Sequence, residues 1–490
     1  MRIRIVGTGV MGRGIAQWAA TAGHTVELAD ARPESVGEAV EFIRTMLDRA
    51  VEKGRTSADE AAALLNRLVP LEAPGEPGEV DLVVEAVRED LETKAALFAE
   101  LEKVLPATAV FATNTSSLPV TQIAATLADP SRLAGLHFFN PVPLMKVVEV
   151  VPGAATRPEI VDTLTGLVRD TGHRAVLVSD TPGFLINHAG RGLVTEALAL
   201  LEENVAEPAV LDRIARDVLG LRMGPFELMD LTGLDVTAAV IESIWSGFRY
   251  SDRLRASYLT PNRVAAGLHG RKTGRGWFDY SADAAPVTEP EITGDATRPV
   301  WAEQSVRDAI GDANWQESAR SVVLVPTWGT TVAATVAEQG LPADRTFGID
   351  PLSLETGRRV LAVTPAADPG AAHDAAAILA SGGKKVSVVR DTAGGVAQRL
   401  LASIVSVAAS IAEQGIASPR DIDLGVTTGL GYPIGPLAWG DRVGAGRLLA
   451  LYRALHTTTG DPRYRATRWV TERAQLGLSL TDPGTSPADI

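Results

Sequence analysis

The sequence predicts an α/β protein. It begins with a doubly wound parallel sheet, continues into an all-α domain and ends with a degenerate second copy of that α domain. Three observations carry this reading. Short β-branched runs alternate with helical stretches over residues 1–180, the pattern of a parallel sheet covered by helices. The first of those runs opens directly into a glycine-rich turn. The stretch 180–233 also matches 391–444 without a gap, at an offset of 211 residues (391 − 180).

A chain of 490 residues, 46% apolar and 22% charged, can bury a sizeable core and hold roughly two to four domains. Its formal net charge of −14 argues against a nucleic-acid partner, which needs a broad basic face. A phosphate-bearing small ligand needs only a few local groups and stays open. The chain has no cysteine, so disulfides, thiolate metal sites and cysteine nucleophiles are excluded, and no metal is expected. The N-terminus runs straight into a folded pattern, with no signal-peptide layout and no apolar span of membrane length. A cytoplasmic protein without a membrane partner is expected.

The run "RIRIV" (2–6) leads into "GTGVMGRG" and then the helical "IAQWAATAG". This strand, turn and helix is the setting in which GxGxxG signifies dinucleotide binding, so the sheet reads as Rossmann-type. Gly7 permits the tight turn, Gly9 lets the backbone approach a pyrophosphate, and Gly12 lets the helix pack on the strand. Val10 and Met11 stand between them and count among the cofactor-contact residues. The second strand, "TVELAD", ends in Asp30, an acidic group placed to accept from both ribose hydroxyls and to repel a 2′-phosphate, which favours NAD over NADP. Arg32 nearby weakens that preference.

Further strands read as "VDLVVEAV" (80–87), "AVFATNT" (109–115) and "AGLHFF", with helices such as "EDLETKAALFAELEKVL" (89–105) between them. Ligands bind beyond the carboxyl ends of such strands, and Glu85, Asn114, Ser116 and His137 all lie there. Taken alone, "NTSS" reads first as a loop or helix cap.

In "LHFFNPVPLMKVVEV" (136–150), His137 and Glu149 sit in two apolar runs folded back by a Pro-bounded turn. A carboxylate beside an imidazole makes it a better base and fixes its tautomer, as removal of a hydroxyl proton requires. An arbitrary His–Glu pair is more often a core histidine satisfied by a carboxylate; a nicotinamide site on the same sheet reverses that balance.

The segments "GTGVMGRGIA", "DLVVEAVREDLETKAALFAELE", "TNTSSLPVTQIA", "GLHFFNPVPLMKVVEVV", "TPGFLINHAGR", "MGPFELMDLTGLDV" and "GRKTGRGWFDY" follow one another over residues 1–280. In their order and spacing the sequence resembles the L-3-hydroxyacyl-CoA dehydrogenase family. The resemblance implies NAD-dependent, reversible oxidation of an (S)-3-hydroxyacyl-CoA to the 3-ketoacyl-CoA, with an acyl-CoA as partner. His137 would be the base and Glu149 its orienting partner, while Ser116 and Asn187 would bond the substrate's hydroxyl and carbonyl region. Gly7, Gly9, Gly12 and Asp30 would hold the adenosine half of NAD, with Glu85, Lys94 and Asn114 near its ribose and nicotinamide end. The family's helical pair for CoA falls on "VEFIRTMLDRAVEKGRTSADEAAALLNRL" (40–68), where Arg44, Arg49, Lys53 and Arg55 are either phosphate contacts or a solvated face. The stretch "INHAGR" departs from the family's usual Asn-Arg, and His188 is expected to alter packing beside the acyl pocket.

The domains read as 1–180, an NAD-binding unit; 181–285, a helical substrate and dimerisation unit; 286–390, a linker with a degenerate Rossmann-like remnant; and 391–480, a second, non-catalytic helical repeat. Asn187 falls opposite Gln398. The stretch 321–340 reads as a strand, Gly turn and helix echoing the N-terminal fold. Phe347 is expected where the histidine would be, and Ala362 opposite the glutamate position. The Pro- and acid-rich stretch 281–320 reads as linker and "TDPGTSPADI" as a disordered tail. The second copy is expected to cover the first, giving an internal pseudo-dimer, with a homodimer left open. This layout is similar to that of bacterial family members acting on 3-hydroxyadipyl-CoA or 3-hydroxybutyryl-CoA. Two other readings compete: the same hydride chemistry on a carrier-bound or free hydroxy acid, and a non-catalytic NAD or acyl-CoA binder.

Overall fold

Strand β1 (Arg2–Val6) is a β-branched run whose last four residues are buried, and the N-terminal sheet grows outward from it. The computed structural model describes residues 1–490, the side chain of Ala488 excepted. After β1 come α1 (Val10–Thr21), β2 (Thr25–Ala29), α2 (Pro33–Glu52), α3 (Ala58–Leu65), β3 (Leu68–Pro70), β4 (Leu82–Glu85) and α4 (Leu91–Val104). The sheet is completed by β5 (Val110–Thr113), α5 (Val120–Ala124), β6 (Leu133–Phe138), β7 (Val147–Pro152), α6 (Pro158–Asp170) and β8 (Arg174–Leu177). Strand order is β3-β2-β1-β4-β5-β6-β7-β8. The strands β1 to β6 run parallel; β7 returns antiparallel to β6, and β8 follows β7 in parallel. Ile3, Ile5, Ile15, Val84, Leu136 and Val150 belong to its buried core. Local chemistry supports the element starts: Ser57 and Glu60 form a reciprocal capping box on α3, and Asp90 caps α4.

Then come α7 (Ile186–Glu202), α8 (Pro208–Asp217), α9 (Pro225–Thr232), α10 (Leu234–Gly247), α11 (Leu259–Ala265), β9 (Val300–Ala302) and α12 (Gln304–Ile310). Next are β10 (Val322–Pro326), α13 (Val332–Gln339), β11 (Thr346–Ile349), β12 (Arg358–Val363), α14 (Pro369–Leu379) and β13 (Lys385–Arg390). The chain ends with α15 (Val396–Glu413), α16 (Pro419–Gly429), α17 (Pro436–Val443), α18 (Ala445–Thr459) and α19 (Arg468–Leu476). One unit comprises Met1–Ile186 with Gln414–Leu430; the other holds the remaining residues. The helices α7–α11 recur in order as α15–α19. Gly233 and Gly444 join the third and fourth helix of each set at φ +93° and +95°, a region that favours glycine.

The second sheet has the order β13-β12-β11-β10-β9. Its polarities repeat those of β4 to β8: β9, β10 and β11 run parallel, β12 turns back, and β13 follows β12. Asp180 accepts from the N–H groups of Val120 and Thr121 at 2.9 and 2.8 Å. Asp391 does the same for Val332 and Ala333 at 2.8 and 2.9 Å. The stretch 321–340 is thus the counterpart of β5 and α5, rather than of the Gly-rich first strand and helix. Among the described residues this sheet has no counterpart of β1 to β3, the strands that lead to the pyrophosphate turn.

Residues 281–320 are less of a linker than their composition suggests. Val300, Ala302, Val306 and Ile310 are buried in the second core, and Glu289 pairs with the fully buried Arg358. So few apolar residues give no readable period. The start of the tail is also fastened: Leu480 is fully buried, and Arg473 donates to the carbonyl of Asp482. Helix α15 is long and apolar enough to cross a membrane by length and composition, contrary to the sequence expectation, but 83% of it is buried within the protein.

The two helical copies pack on each other within their unit. A Cβ on Gly192 of α7 would stand 2.8 Å from Ile404 Cα of α15, so the helices meet backbone to backbone. Beside that crossing Glu196 accepts from Arg399 at 2.6 Å, Tyr464 Oη at 2.7 Å and Arg463 at 3.3 Å. Burial pushes the Glu196 carboxyl up, yet Arg399 and Arg463 hold it below its ordinary range. Stripping the partners from a buried charge costs about 3–5 kcal/mol. A chain truncated near residue 290 is therefore expected to aggregate or stay unfolded on size-exclusion chromatography; a soluble, folded monomer would contradict this packing role.

Candidate active site

The carboxyl ends of β1, β4, β5 and β6 form one continuous edge, and the sequence-predicted residues of the first 180 positions collect there. His137 stands directly opposite Glu149 in the β6–β7 pair. Their side chains are 6% and 0% exposed, and His137 Nδ1 lies 2.5 Å from Glu149 Oε2. The other carboxylate oxygen accepts from the N–H groups of Leu185 and Ile186 at 3.0 and 2.8 Å. Hydrogen bonds to a charged group are worth about 1.5–3 kcal/mol each, so this carboxylate is strongly held. The imidazole is flanked by Phe139 and Phe184, at 4.4 and 5.7 Å between ring centroids. Phe184 itself takes φ +50°, an uncommon conformation for a bulky residue, directly before the two N–H donors. With Nδ1 donating to Glu149, the neutral ring presents an acceptor at Nε2, and among the described residues Nε2 has no partner.

At the β1 turn Gly7 takes φ +92°, and a Cβ there would fall 2.6 Å from Ala86 O. A Cβ on Gly12 would lie 1.7 Å from Gly7 O, whereas nothing stands within 4 Å of one on Gly9. The turn is therefore tight where chain meets chain and open where a pyrophosphate would lie, at the start of α1. Val10, 55% exposed, opens that helix, and Met11 packs partly into the core. Asp30 accepts from Thr8 N–H at 2.7 Å and Arg32 N–H at 3.0 Å, which fixes its carboxylate at the end of β2. These residues fit NAD.

Glu85 and Lys94 lie at and behind the carboxyl end of β4. They form a buried pair at 2.6 Å, 0% and 1% exposed. Glu85 also accepts from Thr113 Oγ1 at 2.7 Å and Val87 N–H at 2.7 Å. Their contacts shape the strand ends. Asn114 Oδ1 accepts from Phe138 N–H at 2.8 Å, tying the β5 loop to the histidine's strand.

Ser116 depends on a residue that sequence reasoning missed. Glu89 accepts from Thr115 Oγ1 at 2.7 Å, from the N–H groups of Ser116 and Ser117 at 2.8 and 3.0 Å, and from Ser117 Oγ at 2.9 Å. Lys94 stands 3.2 Å away. Burial raises the Glu89 carboxyl, but these bonds and the Lys94 charge outweigh it and hold the group at about 2. No motif distinguished Glu89 from its neighbour Asp90.

In the other unit, Asn187 lies in the first turn of α7. His188 is a core residue against Phe248, 4.4 Å between centroids; burial, then the Arg191 charge, push it down to about 3. Arg191 donates from Nε to Asn187 O at 2.9 Å, while its Nη1 is shut off from solvent without a partner. Burial lowers its guanidinium to about 10. The sequence reading passed over this arginine.

The second sheet closes the corresponding position. Gly348 stands opposite Ala362, and a Cβ there would meet Val332 Cγ2 at 2.4 Å, just as one on Gly135 would meet Val120 Cγ2 at 3.0 Å. Gly348 is thus the counterpart of Gly135, and the histidine's place falls on Asp350, opposite Val360, rather than on the expected Phe347 and Ala362. Gln398 donates to Asp350 at 3.1 Å and to Thr327 O at 2.9 Å, and accepts from Gly329 N–H at 3.0 Å. A carboxylate does persist here, contrary to expectation: Asp350 accepts from Ala397 N–H at 3.1 Å, as Glu149 does from the start of α7. Burial raises its carboxyl, and no imidazole accompanies it.

A buried His–Glu pair on the edge that carries a GxGxxG turn defines an NAD-dependent oxidoreductase. Comparison with known proteins gives the family. Residues 2–181 match the 3-hydroxyacyl-CoA dehydrogenase NAD binding domain, and residues 183–280 and 394–483 both match the C-terminal domain of the same enzymes. The chain belongs to the 3-hydroxyacyl-CoA dehydrogenase family. It is 37% identical to the 3-hydroxyadipyl-CoA dehydrogenase of Escherichia coli K12, over 97% of each chain. It is 38% identical to a probable 3-hydroxybutyryl-CoA dehydrogenase of Bacillus subtilis, over 57% of this chain and 97% of that one. The crystal structure of a 3-hydroxybutyryl-CoA dehydrogenase from Escherichia coli K12 superposes with a TM-score of 0.88 at 35% identity, covering 97% of this chain and 98% of that one.

Because the Glu89 carboxyl is depressed on folding, its stabilisation of the serine loop is full above about pH 4.5 and drains as pH falls towards about 2. Glu89→Gln is expected to unfold at lower temperature than wild type at neutral pH, the gap narrowing in acid. A pH-independent gap would show that charge is not what holds the loop.

Proposed function

We propose that this protein oxidises the 3-hydroxyl of an (S)-3-hydroxyacyl-CoA to the ketone, reversibly, with His137 as base. The observation that carries this reading is the unpartnered Nε2 of an imidazole whose other nitrogen is pinned by Glu149, itself held by two backbone N–H groups. NAD, when bound, supplies the hydride acceptor. His137 Nε2 takes the hydroxyl proton as the ketone forms and returns it in the reverse direction. The Ser116 hydroxyl and the Asn187 amide orient the substrate oxygen, and Asn114 faces the cofactor's nicotinamide end. Arg44, Arg49, Lys53 and Arg55 on and after α2 are assigned to the phosphates of CoA. The working domains follow the boundaries 1–180, 181–285, 286–390 and 391–480.

For the acyl group, the relatives named for 3-hydroxyadipyl-CoA and 3-hydroxybutyryl-CoA offer a dicarboxylic and a plain chain. The dicarboxylic chain is the one proposed, since the 3-hydroxyadipyl-CoA relative matches over 97% of each chain, whereas the Bacillus subtilis 3-hydroxybutyryl-CoA relative covers 57% of this one.

NADH oxidation with acetoacetyl-CoA and with 3-oxoadipyl-CoA tests both parts. His137→Ala is expected to lower kcat by about 10²–10⁴-fold with NADH binding retained, and Glu149→Gln to lower it as well. Tight NADH binding without turnover of either thioester by wild type would defeat the reading. The kcat/KM is expected to be higher for 3-oxoadipyl-CoA than for acetoacetyl-CoA, and the reverse order would assign the plain chain.

A further inference from the structure

Helix α16 comes from the second copy, yet it is part of the first unit. It lies on β7 and β8, and Ser179 just beyond β8 donates from its N–H to Ile416 O at 2.8 Å. Two glycines one turn apart on this helix, Gly425 and Gly429, receive the side chains of Leu185 and Ile186. A Cβ on Gly425 would come 2.9 Å from Leu185 Cδ2, and one on Gly429 2.7 Å from Ile186 Cδ1. Leu185 and Ile186 are both buried, and their N–H groups are the ones that hold Glu149. A continuous set of contacts thus runs from α16 through two side chains and their backbone to the carboxylate and the imidazole.

The repeat shows that this fit is specific. At the offset of 211, Gly425 and Gly429 correspond to Ile214 and Val218, while Leu185 and Ile186 correspond to Val396 and Ala397. At one pair the sizes are exchanged, Ile186 with Gly429 against Ala397 with Val218; at the other, Gly425 stands where the first copy has Ile214. In that other copy α8, which carries Ile214, also packs against α15, the helix that Val396 and Ala397 open. Glycine within a helix weakens it, so a pair of glycines at these two positions calls for a reason beyond helix formation, and close approach alone would not require the exchange.

We propose that Gly425 and Gly429 are positioning residues for the reaction: by seating Leu185 and Ile186 they hold two N–H groups on Glu149 and, through it, the aim of His137. The second copy thereby completes the catalytic edge of the first. This rests on the reading of His137 as the base.

The test transplants the other copy's residues into the full-length protein. Gly429→Val and, as a milder form, Gly425→Ala are expected to lower kcat on 3-ketoacyl-CoA by up to about 10²-fold, the scale of a 1 Å misplacement, while the Kd for NADH changes little. The paired exchange Ile186→Ala with Gly429→Val restores the summed volume and is expected to recover most of kcat. Single variants that keep wild-type kcat while losing thermal stability would overturn the proposal and leave α16 a structural cover. So would a paired variant that regains stability without regaining kcat. Failure of wild type to turn over, or full activity in His137→Ala, would instead strike at the reading of the base and is recognised separately.

Discussion

The catalytic edge depends on one carboxylate, Glu149, and on what its two oxygens hold. One oxygen fixes the imidazole; the other gathers the first N–H groups of the segment that becomes α7. A carboxylate with no exposure to water needs such donors, and here they come from strand β6 and from the segment that opens α7. Strand β7 therefore sets the direction of the histidine and the point at which the sheet gives way to the helical region. The reversal of β7 against β6 brings this about, since only an antiparallel neighbour sets Glu149 squarely across from His137.

The second copy shows what the same framework becomes without the chemistry. Its sheet keeps the polarity pattern and the aspartate that ties strand to helix. The strands leading to the glycine turn are gone, and Asp350 stands where the histidine would be. Gln398 and Asp350 satisfy each other and the surrounding backbone. A polar cluster with all its partners present stabilises a core and leaves nothing to act on a ligand.

Much of this was legible in the sequence because the signals were local. The glycine turn with Asp30, the His137–Glu149 pair and the gap-free repeat each rest on spacing along the chain. What escaped rests on long-range contact. Glu89 reaches the serine loop across 26 positions in sequence, with no motif to mark it. The direct ion pair between Glu85 and Lys94 likewise has no local signal. The histidine's place in the second sheet is Asp350 rather than Phe347 because strand register follows from pairing, which an apolar run does not show. The 300–310 segment of the expected linker entered the second core on a handful of apolar side chains too sparse to show a period.

The assignment of Gln414–Leu430 to the N-terminal unit has a consequence for the time course of synthesis. The ribosome must add 227 residues (413 − 186) after Ile186 before the segment that finishes that unit begins to emerge. At about 5–20 residues per second this takes roughly 10–50 s. Throughout that interval the nascent sheet exposes the surface that α16 will cover, including the side chains of Leu185 and Ile186. Fusing the two copies in one chain ensures that the missing piece arrives, and makes it the last piece of the N-terminal unit to arrive.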